Sequence, residues 1–187
     1  MPKVLNISEE ELIRKCKKGD LKYLEKMYKH FYGYAMGVGL RYLSNRDDAL
    51  EVVNDAFIKV FGSINSFNSE NPFKPWLRRI VVNTAIDRRR KNLRYLEQVD
   101  IEEAIYVGKQ AQVIEDMGVD EIRRLIDTLP EVQRMIFNLY EIDGYNHEEI
   151  GAMLNMPESS SRVYLSRAKD KLRKAWNRQE TSYEQSV

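Results

Sequence analysis

Apolar residues return every three or four positions along most of this chain and almost nowhere alternate with polar ones. The pattern predicts helices throughout and no strand of useful length. Ser8-Glu9-Glu10-Glu11 reads as a capping-box start, and Gly19 as a stop. Asp20 caps a long helix reaching about residue 43, residues 44–46 make a turn, and Asp47 opens a third helix to about residue 64. A polar loop over 65–71 (NSFNSEN) follows, and Pro72 and Pro75 introduce a helix over 76–91. Residues 92–118 carry few strong signals and read as a linker that can hold some helix. Further helices are predicted over 119–128, 130–142, 147–154 and 158–177, with Gly144 and Pro157 separating the later ones. The expected fold is all-α: two small helical domains, 1–91 and 119–178, joined by the 92–118 linker and followed by a 179–187 tail.

Composition narrows the class. With 43% hydrophobic and 32% charged residues in 187, the chain can bury real cores and is not largely disordered. No apolar run approaches the roughly 18–20 residues that span a bilayer. The N-terminus MPKVLNISEEELIRK lacks an apolar signal core, so a cytoplasmic chain is expected. Cys16 is the lone cysteine; with His30 and His147 the only histidines, neither a disulfide nor a zinc cluster can be assembled. A glycine-rich phosphate loop, an acidic pair suited to two metals and a Cys or Ser activated by His are all missing from the sequence. No enzyme, cofactor, metal or small-molecule substrate is expected.

The net charge of +1 conceals three blocks. Residues 74–94 hold eight bases against Asp87, residues 97–121 eight acids against Lys109, and residues 157–178 seven bases against Glu158 and Asp170. Two basic clusters flanking an acidic linker are candidate phosphate footprints.

The second basic block belongs to a motif. Residues 145–176 (YNHEEIGAMLNMPESSSRVYLSRAKDKLRKAW) place a short helix, a tight turn at 155–157 and a longer basic helix in helix-turn-helix order. Helical winding turns Ser161, Tyr164, Leu165, Ala168, Leu172, Ala175 and Trp176 to one face, the predicted core. Ser159, Arg162, Val163, Ser166, Arg167 and Arg173 fall on the other; the early members can enter a major groove and reach base edges. Lys169, Lys171 and Lys174 lie farther along and suit phosphates.

The first basic block is WLRRIVVNTAIDRRR, over 76–90. Trp76, Leu77, Ile80, Val81, Thr84 and Ala85 form its expected buried face, while Arg79, Asn83, Ile86 and Arg90 line a separate stripe. Guanidinium groups hold phosphates and an amide can read a base. The rings of Phe67 and Phe73, from the loop before it, can stack on an unpaired base. In the helix from Asp47, Leu50, Val53, Ala56, Phe57, Val60, Phe61 and Ile64 make the core face. The opposite face holds Asp48, Glu51, Asn54, Asp55 and Lys59 around Ile58, and an apolar residue centred in an acidic face is a candidate partner contact.

In combination and in order, DDALEVVNDAFIKVF, WLRRIVVNTAIDRRR, LPEVQRMIFNLYEIDGYNHEEIGAMLN and SRVYLSRAKDKLRK resemble the extracytoplasmic-function (ECF) sigma factors of bacterial RNA polymerase, within the sigma-70 superfamily. The resemblance covers about residues 20–91 and 120–176. It implies a sigma factor that binds core RNA polymerase and directs promoter recognition, −10 melting and transcription initiation. The first domain would match region 2, with Asp48, Glu51, Asn54, Asp55, Ile58 and Lys59 gripping the polymerase clamp. Phe67, Phe73, Arg79, Asn83 and Arg90 would capture a flipped base of the −10 element. The second would match region 4, rest on the polymerase flap, and read the −35 element through Ser159, Arg162, Val163, Ser166, Arg167, Lys171 and Lys174. The acidic linker would thread a channel built for RNA, and an anti-sigma factor is an expected partner.

Two positions depart from the family pattern: Ser161 stands where a β-branched apolar residue is usual, and Tyr164 where a base is common. The alternative is a helix-turn-helix regulator with a sensory N-terminal domain. That reading needs a ligand pocket and a dimer interface, and leaves the basic 76–91 helix without a purpose.

Overall fold

The computed structural model describes residues 7–43, 45–96 and 119–184. Among them no strand occurs, and eight α-helices fall into two compact units, Met1–Asp100 and Ile101–Val187. The all-α, two-domain architecture is the one the periodicity predicts.

The first unit contains α1 (Glu9–Lys17), α2 (Leu21–Tyr42), α3 (Arg46–Ser63) and α4 (Phe73–Leu96). Ser8 caps α1 by accepting from the Glu11 amide, Gly19 reverses the chain at φ +74°, and Asp20 caps α2. The cap of α3 is Asn45 rather than Asp47; its side chain accepts from the Asp48 amide at 2.7 Å. Asp47 and Asp48 instead occupy the first turn, where carboxylates complement the positive end of the helix dipole. Helices α2, α3 and α4 pack on one another and α1 lies along α2, burying Met27, Phe31, Val52, Val53, Phe57, Leu77 and Val81.

Helix α4 is longer than expected at both ends. It starts at Phe73, with Pro75 in the first turn, where a missing N–H leaves no helical bond unmade. It ends at Leu96, so the start of the expected linker, 92–96, is helix; residues 97–118 of that linker lie outside the described residues.

The second unit contains α5 (Val119–Asp127), α6 (Glu131–Phe137), α7 (His147–Leu154) and α8 (Glu158–Glu184). The regular helix expected through residue 142 instead widens into a π-turn at Asn138–Ile142, closed by the Asp143 amide on the Asn138 carbonyl at 2.9 Å. Helix α8 runs on through Glu184, so the expected tail begins as helix. Leu129, Met135, Ile136, Leu139, Ile150, Leu165 and Ala168 form this unit's core.

Candidate nucleic-acid interface

The helix-turn-helix is built by short-range chemistry. Asn146 and Glu149 form a reciprocal capping box at the start of α7. The helix ends on Asn155 in the left-handed conformation, φ 55° and ψ 47°, and the Met156 amide returns to the Gly151 carbonyl at 3.0 Å. A Cβ at Gly151 would lie 2.8 Å from the Met156 carbonyl oxygen, so this close approach requires glycine.

Ser161 lies at 0% exposure at the base of α8, its hydroxyl 2.9 Å from His147 Nδ1. His147 in turn stacks on Tyr140, with ring centroids 4.5 Å apart. The polar residue at this departure from the family pattern is therefore a paired buried group and leaves no gap in the packing. Burial, then the charges of Arg162 and Lys169 against the opposing pull of Glu158, holds the His147 pKa below the ordinary histidine value.

Ser159, Arg162, Val163, Ser166, Arg167, Lys171 and Lys174 are all exposed on the outer face of α8. Arg162 pairs with Glu158 one turn back, and Lys169 with Glu141 at 2.6 Å, while Arg167, Lys171 and Lys174 make no ion pair among the described residues. On the opposite face Trp176, assigned to the core by its position on the wheel, stands 42% exposed. It lines a shallow, largely apolar groove of about 300 Å³ with Ile122, Leu125, Ile126, Phe137 and Leu172, and Arg173, expected on the outer face, borders the groove as well.

The first unit corrects several expectations. Phe67 and Phe73 do not stack outward from the loop; they are 4% and 1% exposed. Their rings meet edge-to-face at 5.5 Å, Phe73 packs on Phe31 at 4.7 Å, and Trp76 lies 4.9 Å from Phe67. Burying two aromatic rings in a mutual cluster stabilises the fold by more than an exposed loop position could, and it closes both ends of the loop. What the loop presents to solvent is its polar tip, Asn68 to Pro72. Here the Asn68 side chain accepts from the Glu70 amide at 3.0 Å, and the Lys17 ammonium from α1 reaches the Phe67 carbonyl at 2.7 Å and the Ser69 hydroxyl at 3.1 Å. Sequence reasoning missed Lys17 because fifty residues separate it from Phe67 and no spacing rule joins them.

On α4, Arg79 and Asn83 are exposed as expected, but Ile86, placed on their stripe, is 2% exposed and belongs to the core. Arg90 is partly covered and bonds Asp87 at 2.8 Å.

The outer face of α3 is only partly available. Arg88 of α4 bridges Asp48 at 2.8 Å and Glu51 at 2.6 Å. Burial works to raise the Asp48 pKa; hydrogen bonds from Arg88 and Asn45, with the charges of Arg88 and Arg89, outweigh it and hold the carboxyl below the usual range. Tyr28 donates to Asn54 at 2.8 Å, and Lys59 donates to Thr84 at 3.0 Å. Between these flanks Asp55 is exposed and Ile58 is 69% exposed, while Leu50, expected in the core, is 37% exposed.

Comparison with known proteins places both units. Residues 27–95 match the family model for sigma-70 region 2. Residues 119–172 match that for sigma-70 region 4. The ECF RNA polymerase sigma-E factor of Haemophilus influenzae is 30% identical over 176 residues, covering 88% of this chain and 93% of the relative. The chain belongs to the ECF sigma factors. The sigma-E factor of Escherichia coli K12 is 28% identical over 176 residues, with 88% and 92% covered. The fold resembles that of the sigma factor RpoE of Bartonella quintana, solved with the anti-sigma factor NepR: TM-score 0.54, 19% identity, 84% of this chain and 98% of the other covered. As an ECF sigma factor it directs promoter-specific transcription initiation, and the helix-turn-helix of its second unit is a DNA-binding element. Among the described residues no helix is long and apolar enough to cross a membrane.

Proposed function

We propose a division of labour among three surfaces. The N-terminal half of α8 reads the −35 element through Ser159, Arg162, Val163, Ser166 and Arg167, with Lys171 and Lys174 on phosphates. The polar tip at 68–72, with Arg79 and Asn83, takes an unpaired base of the −10 element; Arg90 adds a phosphate contact. Exposed Asp55 and Ile58 lead the contact with core polymerase, and Asp48, Glu51, Asn54 and Lys59 flank them. The apolar groove beside Trp176 suits the polymerase flap. Residues 92–118 connect the domains 1–91 and 119–178, and 179–187 follow the second. The protein acts in the cytoplasm without enzymatic activity of its own, and an anti-sigma factor, of the kind that binds the Bartonella relative, sequesters it.

The observation carrying this reading is the sidedness of α8: Ser161, Leu165 and Ala168 are buried while Ser159, Arg162, Val163, Ser166 and Arg167 are all exposed. It is tested with reconstituted holoenzyme. Ile58→Glu lowers affinity for core polymerase about tenfold or more, as loss of an interface anchor does, with folding intact. Asn83→Ala assembles normally but reduces permanganate reactivity of the −10 thymines. Full assembly by the first variant, or unchanged opening by the second, would remove the corresponding surface from the proposal.

A further inference from the structure

The base-capture loop is held from outside the segment that matches region 2. Helix α1 ends at Lys17, ahead of the matched residues 27–95. The Lys17 ammonium donates to the Phe67 carbonyl at 2.7 Å and to the Ser69 hydroxyl at 3.1 Å, and stands 6.0 Å from the Phe67 ring centroid. The loop also braces itself: the Asn68 side chain accepts from the Glu70 amide, and the Asn71 amide donates to the Asn68 carbonyl at 3.1 Å. Those local bonds shape the tip, but they do not place it on the domain. Burial of the Phe67 and Phe73 rings anchors the two ends, and Lys17 adds a charge-assisted tether at the first residues of the tip.

We infer that Lys17 is a positioning residue for promoter reading: it fixes the 68–72 tip against the domain and thereby sets discrimination at the base the tip receives. The inference rests on the proposed role of that loop. A pocket for a flipped base discriminates only if its polar groups are held in place before the base arrives, because a tip free to shift can turn its donors and acceptors to suit each base and so levels the differences among them. The buried residues of α1, Leu12, Ile13 and Cys16, hold the helix in place independently of Lys17, so the tether can be cut without detaching the helix.

The experiment uses holoenzyme and a set of forked promoter templates carrying each of the four bases at the −10 positions. Lys17→Met keeps the aliphatic stem and removes the donors. It is expected to narrow the ratio between preferred and other bases about tenfold, the equivalent of one charge-assisted hydrogen bond. Affinity for core polymerase and for a −35 duplex stays unchanged. Lys17→Arg restores most of the ratio, and Ser69→Ala gives a smaller loss of the same kind. A uniform weakening for all four bases, with the ratio kept, would overturn the inference, as would full discrimination in Lys17→Met. Asn68→Ala separates the two levels. If it loses discrimination while Lys17→Met and Ser69→Ala keep it, the tether is wrong and the loop reading stands. If all three keep it, the loop reading itself falls.

Discussion

Helices α4 and α8 carry basic blocks that look alike in the sequence, and the fold treats them differently. On α4, Arg88 is committed to Asp48 and Glu51 of α3, while Arg90 pairs locally with Asp87. On α8, Arg167, Lys171 and Lys174 form no ion pair among the described residues, the ion pairs of Arg162 and Arg173 are local, one turn along the same helix, and Lys169 reaches off the helix to Glu141. The reason is what each helix packs against. Helix α4 lies on α3, whose outer edge is acidic, so part of its charge is used in joining two helices. Helix α8 turns an apolar and small-residue face to α6 and α7 and, Lys169 apart, leaves its bases outward. A run of positive charge is a footprint for nucleic acid only after the charge consumed inside the fold has been subtracted.

The largest effect that can break this contrast is Phe73→Ala. With the ring buried among Phe31, Phe67 and Trp76, the change should cost about 3–5 kcal/mol in urea unfolding. A variant with wild-type stability that loses only promoter opening would return Phe73 to the DNA side. Next is Gly151→Ala, expected to cost about 1–3 kcal/mol because the new methyl meets the Met156 carbonyl oxygen, with −35 binding lost as the α7–α8 turn shifts. Undiminished stability and −35 affinity would mean that the turn is not locked.

Arg162→Ala then sharpens the comparison within α8. If Arg162 reaches a guanine edge, its loss relaxes sequence choice by about 1–3 kcal/mol, whereas Lys174→Ala weakens all sequences alike and lowers the salt slope by about one. Affinities across −35 variants at several salt concentrations decide it; an equal loss for every sequence would make Arg162 a phosphate contact. The smallest effect is on pH dependence. Because the fold lowers the His147 pKa, the unfolded chain takes the proton first; the neutral group's contribution is complete above about pH 6.5 and is lost as pH falls below it. Melting curves at pH 7.5 and 5.5 should show a drop that His147→Gln reduces, and an identical drop in the variant would assign it to other groups.

Helix α7 was legible from the chain to the residue, because Asn146, Glu149 and Asn155 determine their own caps within a few positions. The outer face of α8 was legible because one period repeats without interruption and its basic side is left outward. Trp176 escaped the same logic: the wheel gives a direction, and whether a neighbour reaches that far along the helix is a tertiary fact. Ser161 was placed in the core by its spacing, but its partner was hidden, since nothing local couples it to a histidine fourteen residues earlier.

The sequence by itself therefore determined what depends on near neighbours along the chain: the helices, most of their caps, the order of motifs that marks the family, and which bases α8 holds outward. Tertiary structure alone decided the rest. Phe67, Phe73 and Ile86 went inward because helices from distant parts of the chain cover them. Arg88 was drawn to α3 because Asp48, forty residues away, and Glu51, one turn farther along the same helix, come within reach. Lys17 met the loop only because α1 folds back beside it. Burial and ion pairing depend on which surfaces come together in space, and separation along the chain carries no record of that distance.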